Sequence, residues 1–369
     1  MKKLLLGIAA VCLAGFTFAQ DAPLWMRHSV ISPDGTTIAF TYKGDIYTVP
    51  VAGGRAMQIT TNPAYDTAPV WSPDSKRIAF ASDRMGSLDV YIVAKDGGEP
   101  RRLTTHSGSE TPLAFTDAGH VLFSAGIMPS AEAVVFPSNG QFNQVYRVSV
   151  EGGRPTMISS MPMECISINK EGAMLYQDKK GYEDYWRKHH VSPIARDIWM
   201  YTPGKEPQYR QLTTFGGEDR EPVWAPDGKT FYYLSEENGS FNIYRRTPGD
   251  AKAVQLTHYT KNPVRYLSAA TDGRLCYGFD GEIYTLLPGG EAQKVNISIV
   301  SDRNDKDIIR QIKSSGATEM AVSPDGKEVA FVLRGDVYVT SVEYKTTKQI
   351  TNTPCQERTV DFAPDGRTL

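Results

Sequence analysis

Cysteine is scarce in this sequence, with four in 369 residues. Cys12 falls in an apolar leader, and Cys165, Cys276 and Cys355 are odd in number, far apart and without a C-x-x-C pair. No disulfide framework or cysteine-based zinc site can be read from that spacing. Cys276 lies in a strand-like run from Arg274 to Phe279, which predicts a buried thiol. An excess of one charge is also lacking. Forty Lys and Arg against 42 Asp and Glu leave a net charge of -2. This gives no footprint for nucleic acid and no drive toward anionic membranes. After Ala19 no run is long and apolar enough to cross a bilayer. Helical periodicity is almost missing, which argues against stacked helices. There is no G-x-S-x-G elbow, no H-E-x-x-H and no phosphate-binding glycine loop. No catalytic residue, cofactor or metal is therefore expected. His106, Ser107 and Ser109 are close in sequence but fall between repeats.

The first residues read as a secretory leader. Lys2 and Lys3 precede an apolar stretch from Leu4 to Phe16, and Ala19 offers a cleavage point before Gln20. This predicts a periplasmic or secreted protein, with an uncleaved anchor as the alternative. Val11 is a poor residue before a lipidated cysteine, which argues against a lipoprotein at Cys12.

What the sequence has in plenty is glycine (32), proline (23) and tyrosine (19), the composition of short strands and tight turns. It also has a repeat. Ser32-Pro33-Asp34-Gly35 recurs at Ser72–Ser75, Ala225–Gly228, Ser323–Gly326 and Ala363–Gly366, with degenerate copies near Asp117, Lys170 and Asp272. Proline presets φ, aspartate bonds to nearby backbone N–H groups, and glycine accepts positive φ. After each turn comes an apolar run such as Ile38-Ala39-Phe40 or Ile78-Ala79-Phe80. Then follows a polar–aliphatic–aromatic triplet such as Asp45-Ile46-Tyr47 or Asp89-Val90-Tyr91. A glycine-rich turn leads to a closing pair such as Ile59-Thr60, Leu103-Thr104 or Leu212-Thr213. Four short strands every roughly 40 to 55 residues is the pattern of a propeller blade.

The fold class expected is all-β: a six-bladed β-propeller of four-stranded blades, followed by the start of a second β-propeller. Residues 1–19 are the leader, 20–296 the six blades, 297–316 a charged linker, and 317–369 one further blade and the opening of another. An eight-bladed single ring is the alternative. Because the sequence stops just after an A–B turn, it reads as part of a longer polypeptide. Unit one carries its own first strand and unit six its own last, so ring closure is expected by packing alone, without a shared-strand clasp.

Strands alternate in direction, so loops alternate between faces. The B–C loops share a face with the blade connections. Two of them are long, roughly Ala125 to Asn143 and Gln177 to Arg196. Insertions on one face of a repeat array often mark a binding side. The second insertion supplies the candidate binding residues Tyr182, Tyr185, Trp186, Arg187, His189 and His190. Stacking and charge there suit a peptide or partner domain. The alternative is a loop packed on its own propeller. His189 and His190 are weak metal ligands, because adjacent histidines diverge and nothing nearby completes a site.

The SPDG turn, I-A-F strand, D-I-Y strand and closing L-T resemble the TolB-type propeller repeat. The leader, six units, linker and new propeller, with the two insertions and the stretch from Lys180 to Lys188, resemble the N-terminal part of a tricorn-type serine peptidase. That resemblance implies a parent with a six-bladed and a seven-bladed propeller, a PDZ-like domain and a catalytic domain that cleaves short peptides with a serine nucleophile. Catalytic residues would lie beyond Leu369. It implies peptides, the downstream domains and further copies of the chain as partners. The family's basic pair for a peptide carboxylate has no counterpart in Ser107 to Pro112. A non-enzymatic TolB-like module binding an envelope protein, and a prolyl-oligopeptidase-like propeller, are the competing readings.

Overall fold

The repeated turn is held by its own side chains. The computed structural model describes residues 23–126, 142–182, 191–300 and 313–369. In it the Ser32 hydroxyl donates to Asp34 Oδ1 (2.6 Å) and accepts the Thr37 N–H (3.0 Å), while Asp34 Oδ1 accepts the Thr36 N–H (3.0 Å). The same bonds recur from Ser72 and from Ser323. The fourth turn residue is left-handed, with φ +72° at Gly35 and +64° at Gly228, a region open to glycine at little cost.

The apolar run and the aromatic triplet form neighbouring antiparallel strands. Phe40 faces Tyr47 across the ladder and their rings stack at 5.8 Å; Phe80 and Tyr91 (5.9 Å) and Phe123 and Tyr146 (5.6 Å) repeat the pair. Such cross-strand aromatic pairs contribute about 0.2–1 kcal/mol each. The closing hydroxyl residue caps the third strand. Thr60 Oγ1 accepts the Ile46 N–H, and Thr104, Thr213 and Thr257 do the same for Val90, Ile198 and Ile243, all at 2.9 Å.

Among the described residues there is no helix. The first compact unit, residues 1–300, contains six four-stranded sheets. Their first strands are Arg27–Ile31, Asp66–Trp71, Glu110–Asp117, Met163–Ile168, Asp219–Trp224 and Arg265–Ala269, and each sheet runs outward in chain order. These first strands touch one another in sequence, and the sixth touches the first. A separate apolar core fills every junction. Ile46 and Phe80 meet between sheets one and two, and Leu175 and Phe231 between four and five. Phe40 and Cys276 meet between six and one. Cys276 is fully buried, as its strand context predicts. The order is thus cyclic, with the first strands innermost.

Closure includes a clasp, which corrects the expectation of packing alone. After the last strand of sheet six, Gln293–Lys294, the chain crosses to sheet one. There Ile297–Ser298 pairs in parallel with Gly54–Arg55. Gly54 N–H donates to the Asn296 carbonyl (2.8 Å) and Ala56 N–H to that of Ser298 (2.9 Å). Gly53 permits the approach: a Cβ there would stand 2.6 Å from the Asn296 oxygen. Ile297 and Ile299 join the core of this junction, so the unit runs on through Val300. Two residues of parallel pairing leave no periodic trace in a sequence, which is why the pattern did not reveal them.

The second unit, residues 301–369, holds one four-stranded sheet: Ala317–Val322, Glu328–Leu333, Asp336–Ser341 and Thr347–Gln349. Phe331 and Tyr338 stack in it at 5.6 Å, and Thr351 caps the Val337 N–H at 2.8 Å. The turn at Ala363–Gly366 is also formed, with Gly366 N–H donating to the Ala363 carbonyl (2.9 Å). The predicted leader, most of the first insertion, residues 183–190 and the charged linker segment 301–312 lie outside the described residues.

Candidate functional site

One face of the first unit gathers the ends of the second insertion and the starts of the innermost strands. Tyr182, at the start of the candidate set, is 74% exposed. Tyr185, Trp186, Arg187, His189 and His190 lie outside the described residues. The two ends of this insertion are fastened to each other. Lys180 Nζ donates to the Ala195 carbonyl (2.7 Å) and to Asp197 Oδ2 (2.5 Å). Asp178 accepts the Asp197 N–H (2.8 Å) and the Trp199 indole N–H (3.1 Å). These bonds hold the two ends together as a fixed stem.

That stem continues into a charged network reaching the innermost strands of sheets four and five. Arg196 donates to Glu164 (3.0 Å) and to Glu218 (2.7 Å), and Arg220 also donates to Glu218. Lys179 pairs with Glu164 at 3.2 Å. Gln177 donates to Glu164 (3.0 Å) and accepts the Glu221 N–H (2.9 Å). Burial pushes the Glu164 pKa up, but the Arg196 and Lys179 charges outweigh it and hold the carboxyl below its ordinary value. Burial likewise raises Glu218, and the bond and charge of Arg220 bring it below its ordinary value. The Arg220 guanidinium also lies 4.8 Å from the Phe241 ring centre. Sequence reasoning missed this network, because its members sit on three strands and the segments beside them with no common spacing.

On the same face, at the junction of sheets six and one, a cleft of about 270 Å³ opens beside the axis. Trp25, Arg27, Arg265, Tyr266 and Phe279 contribute to its wall, and Trp25 is 68% exposed. Met26 N–H donates to the Gly281 carbonyl at 3.1 Å and ties the segment just before the first strand to the neighbouring sheet. An aromatic wall with two guanidinium groups suits a peptide-like or acidic ligand by stacking and charge. The exposed aromatic Trp25, placed ahead of the first blade strand, was the available signal for this cleft.

Another feature noted in the sequence takes a structural role. His106 Nδ1 accepts the Gly108 N–H at 2.9 Å, which makes it a turn former. Among the described residues no cluster of three His, Cys, Asp or Glu side chains has the arrangement of a metal site.

Residues 23–292 match the model of the tricorn protease N-terminal beta propeller domain. This chain belongs to that family. The tricorn protease homolog 1 of Streptomyces coelicolor is 26% identical over 289 residues, covering 77% of this chain and 26% of the relative. The tricorn protease of Thermoplasma acidophilum is 25% identical over 333 residues, covering 86% of this chain and 29% of the relative. A crystal structure of the tricorn protease superposes with a TM-score of 0.64 at 18% identity, over 90% of this chain and 32% of that one. The chain thus spans under a third of the length of these relatives.

Proposed function

We propose that this chain is the N-terminal propeller part of a secreted or periplasmic tricorn-like serine peptidase, and that it guides or filters peptide substrates and products. On this reading residues 20–300 form a six-bladed ring, and the sheet at 317–351 is the first blade of a second propeller. Catalysis belongs to a domain outside this chain. The observation that carries the proposal is the family match over residues 23–292, laid on sheets whose junctions close in a cycle. The fixed stem of the second insertion and the neighbouring cleft support peptide handling on that face. Peptides, the downstream domains of the same polypeptide and further copies of the chain are the proposed partners.

Reading the coding frame past Leu369, then assaying the complete protein on short peptides, tests this. A second ring and a serine peptidase domain, with hydrolysis lost on replacing the domain's serine, are expected. A frame that stops soon after Leu369, or a full protein inert toward peptides, would leave a binding module for an envelope partner instead.

A further inference from the structure

The cleft beside Trp25 is built at a cost in backbone strain. Met26, Asp66, Glu110, Asp219 and Val264 each donate an N–H to the loop between the second and third strands of the neighbouring sheet. Of the residues just before them, Trp25 is left-handed (φ +67°), while Tyr65, Ser109, Glu218 and Pro263 are not. Left-handed backbone is unfavourable for a side-chain-bearing residue and persists only where its surroundings impose it. Gly281 leaves the room: a Cβ there would stand 3.0 Å from the Trp25 nitrogen. Gly278 clears the opposite wall in the same way, since a Cβ there would stand 3.0 Å from Tyr266 Cδ2. The strain brings the indole no internal contact to match. Trp25 stays mostly exposed, and its N–H has no partner among the described residues. A large aromatic side chain strained outward at the rim of a cleft is arranged as a platform for a ligand.

The polar groups around this platform are mostly donors. Arg27 and Arg265 carry five N–H groups each, more than one neighbour takes up, and accept nothing; the indole N–H also only donates. The acid on the wall, Asp280, is already engaged by the Asn262 side-chain N–H at 2.9 Å. At the rim the Met26 N–H is spent on Gly281 (3.1 Å) and the Val264 N–H on Phe241 (3.0 Å), so recognition falls to side chains. Such walls fit a ligand with flat apolar faces, free acceptors and few donors. A proline-bearing segment in the polyproline II conformation has those properties. Its rings stack on aromatic side chains, proline lacks an N–H, and its carbonyls are unpaired.

We infer that this cleft of about 270 Å³ is a binding site for a proline-bearing peptide segment, in which Trp25, Tyr266 and Phe279 receive a proline ring and Arg27 and Arg265 the neighbouring carbonyls. That the ligand is a peptide rests on the proposed peptide-handling role; the preference for proline rests on the walls of the cleft.

Two fluorescein-labelled peptides test this on the present chain: repeated Ser-Pro-Pro-Ala, and the same peptide with alanine at every proline. Fluorescence anisotropy should give a Kd at least tenfold lower for the proline peptide. Trp25→Ala should weaken its binding at least tenfold and Trp25→Phe much less, and Arg265→Gln should weaken it several-fold. Trp25→Gly separates the platform from the scaffold. It relieves the left-handed strain, so it should lose binding yet melt no lower than the parent. Equal affinity for the two peptides, or unchanged binding of the proline peptide to Trp25→Ala, would overturn the site. A Trp25→Gly chain that melts well below the parent and still binds would make Trp25 a structural residue and overturn it too. If the proline peptide binds through Trp25 but the complete protein hydrolyses no peptide, the site stands and the peptidase reading falls. If the complete protein hydrolyses peptides but this chain binds both probes alike, the site falls and that reading stands.

Discussion

Asp34 donates its backbone N–H to the Ser75 hydroxyl at 3.0 Å, linking the first turn of sheet one to the first turn of sheet two. Ser75 occupies the position glycine takes in the other well-formed turns and holds φ at +58°. It therefore exchanges backbone ease for a bond between sheets. Replacing it separates the two effects. Ser75→Ala keeps the strained backbone and loses the bond, and should destabilise by about 1 kcal/mol. Ser75→Gly loses the bond but relieves the strain, and should lie close to the parent. Thermal melting of the three proteins, run side by side, decides between a connecting role and a tolerated irregularity.

Gly228 sets the contrasting case. Its φ of +64° serves no side-chain bond, so a β-branched residue brings strain with no return. Gly228→Val should lower stability by roughly 1–3 kcal/mol. An unchanged melting temperature would show that the turn has another geometry.

The closing threonines were legible in the sequence as a recurrent L-T pair, and the structure supplies their chemistry. Thr213 Oγ1 accepts the buried Ile198 N–H at 2.9 Å. Thr213→Val leaves that donor without its partner and should cost about 1–3 kcal/mol, while Thr213→Ser should cost much less. Urea denaturation of both variants checks this. A valine variant as stable as the serine one would make the hydroxyl dispensable.

These examples mark what a sequence can carry for such a fold. The SPDG turn, the Phe40–Tyr47 type of pair and the threonine cap all join residues within one repeat, so each copy restates them in the same order. The clasp at Gly54–Arg55 and Ile297–Ser298 occurs once, between the ends of the ring, and no repetition announces it. The Arg196 network and the cleft at Trp25 likewise draw on residues far apart in the chain, each in a single copy. The left-handed positions at His28, Cys165, Glu221 and Tyr266 share a place in the fold but no residue type, so comparing the copies as strings does not find them.

Two buried carboxyl groups give the first unit a pH dependence with a definite sign. Burial, reinforced by the nearby Asp89 carboxylate, pushes Glu110 up to about 7. Burial, with Asp197 and Glu237 nearby, pushes Asp219 up to about 7 as well. A carboxyl with a raised folded-state pKa holds its proton better folded than unfolded. Its stabilising contribution is complete below the unfolded value, and is lost as pH climbs from there to about 7. Stability should therefore fall across this window by on the order of 1–3 kcal/mol for each group. Glu110→Gln and Asp219→Asn should each flatten the fall. Melting curves from pH 4 to pH 8 with the slope unchanged in both variants would place the titration elsewhere.

The clasp is testable at Gly53. Its φ is +85°, and an added Cβ would stand 2.6 Å from the Asn296 carbonyl oxygen, closer than such atoms approach. Gly53→Ala should push residues 296–298 off the edge of sheet one and break the bonds from Gly54 and Ala56. Hydrogen exchange at those two amides should accelerate at least tenfold, with exchange in sheets three and four unchanged. The same rates in parent and variant would mean that packing of Ile297 and Ile299 in the junction core closes the ring without the clasp. That outcome would return closure to the mechanism the repeat pattern alone predicts, in which each sheet is held by the apolar cores on its two sides.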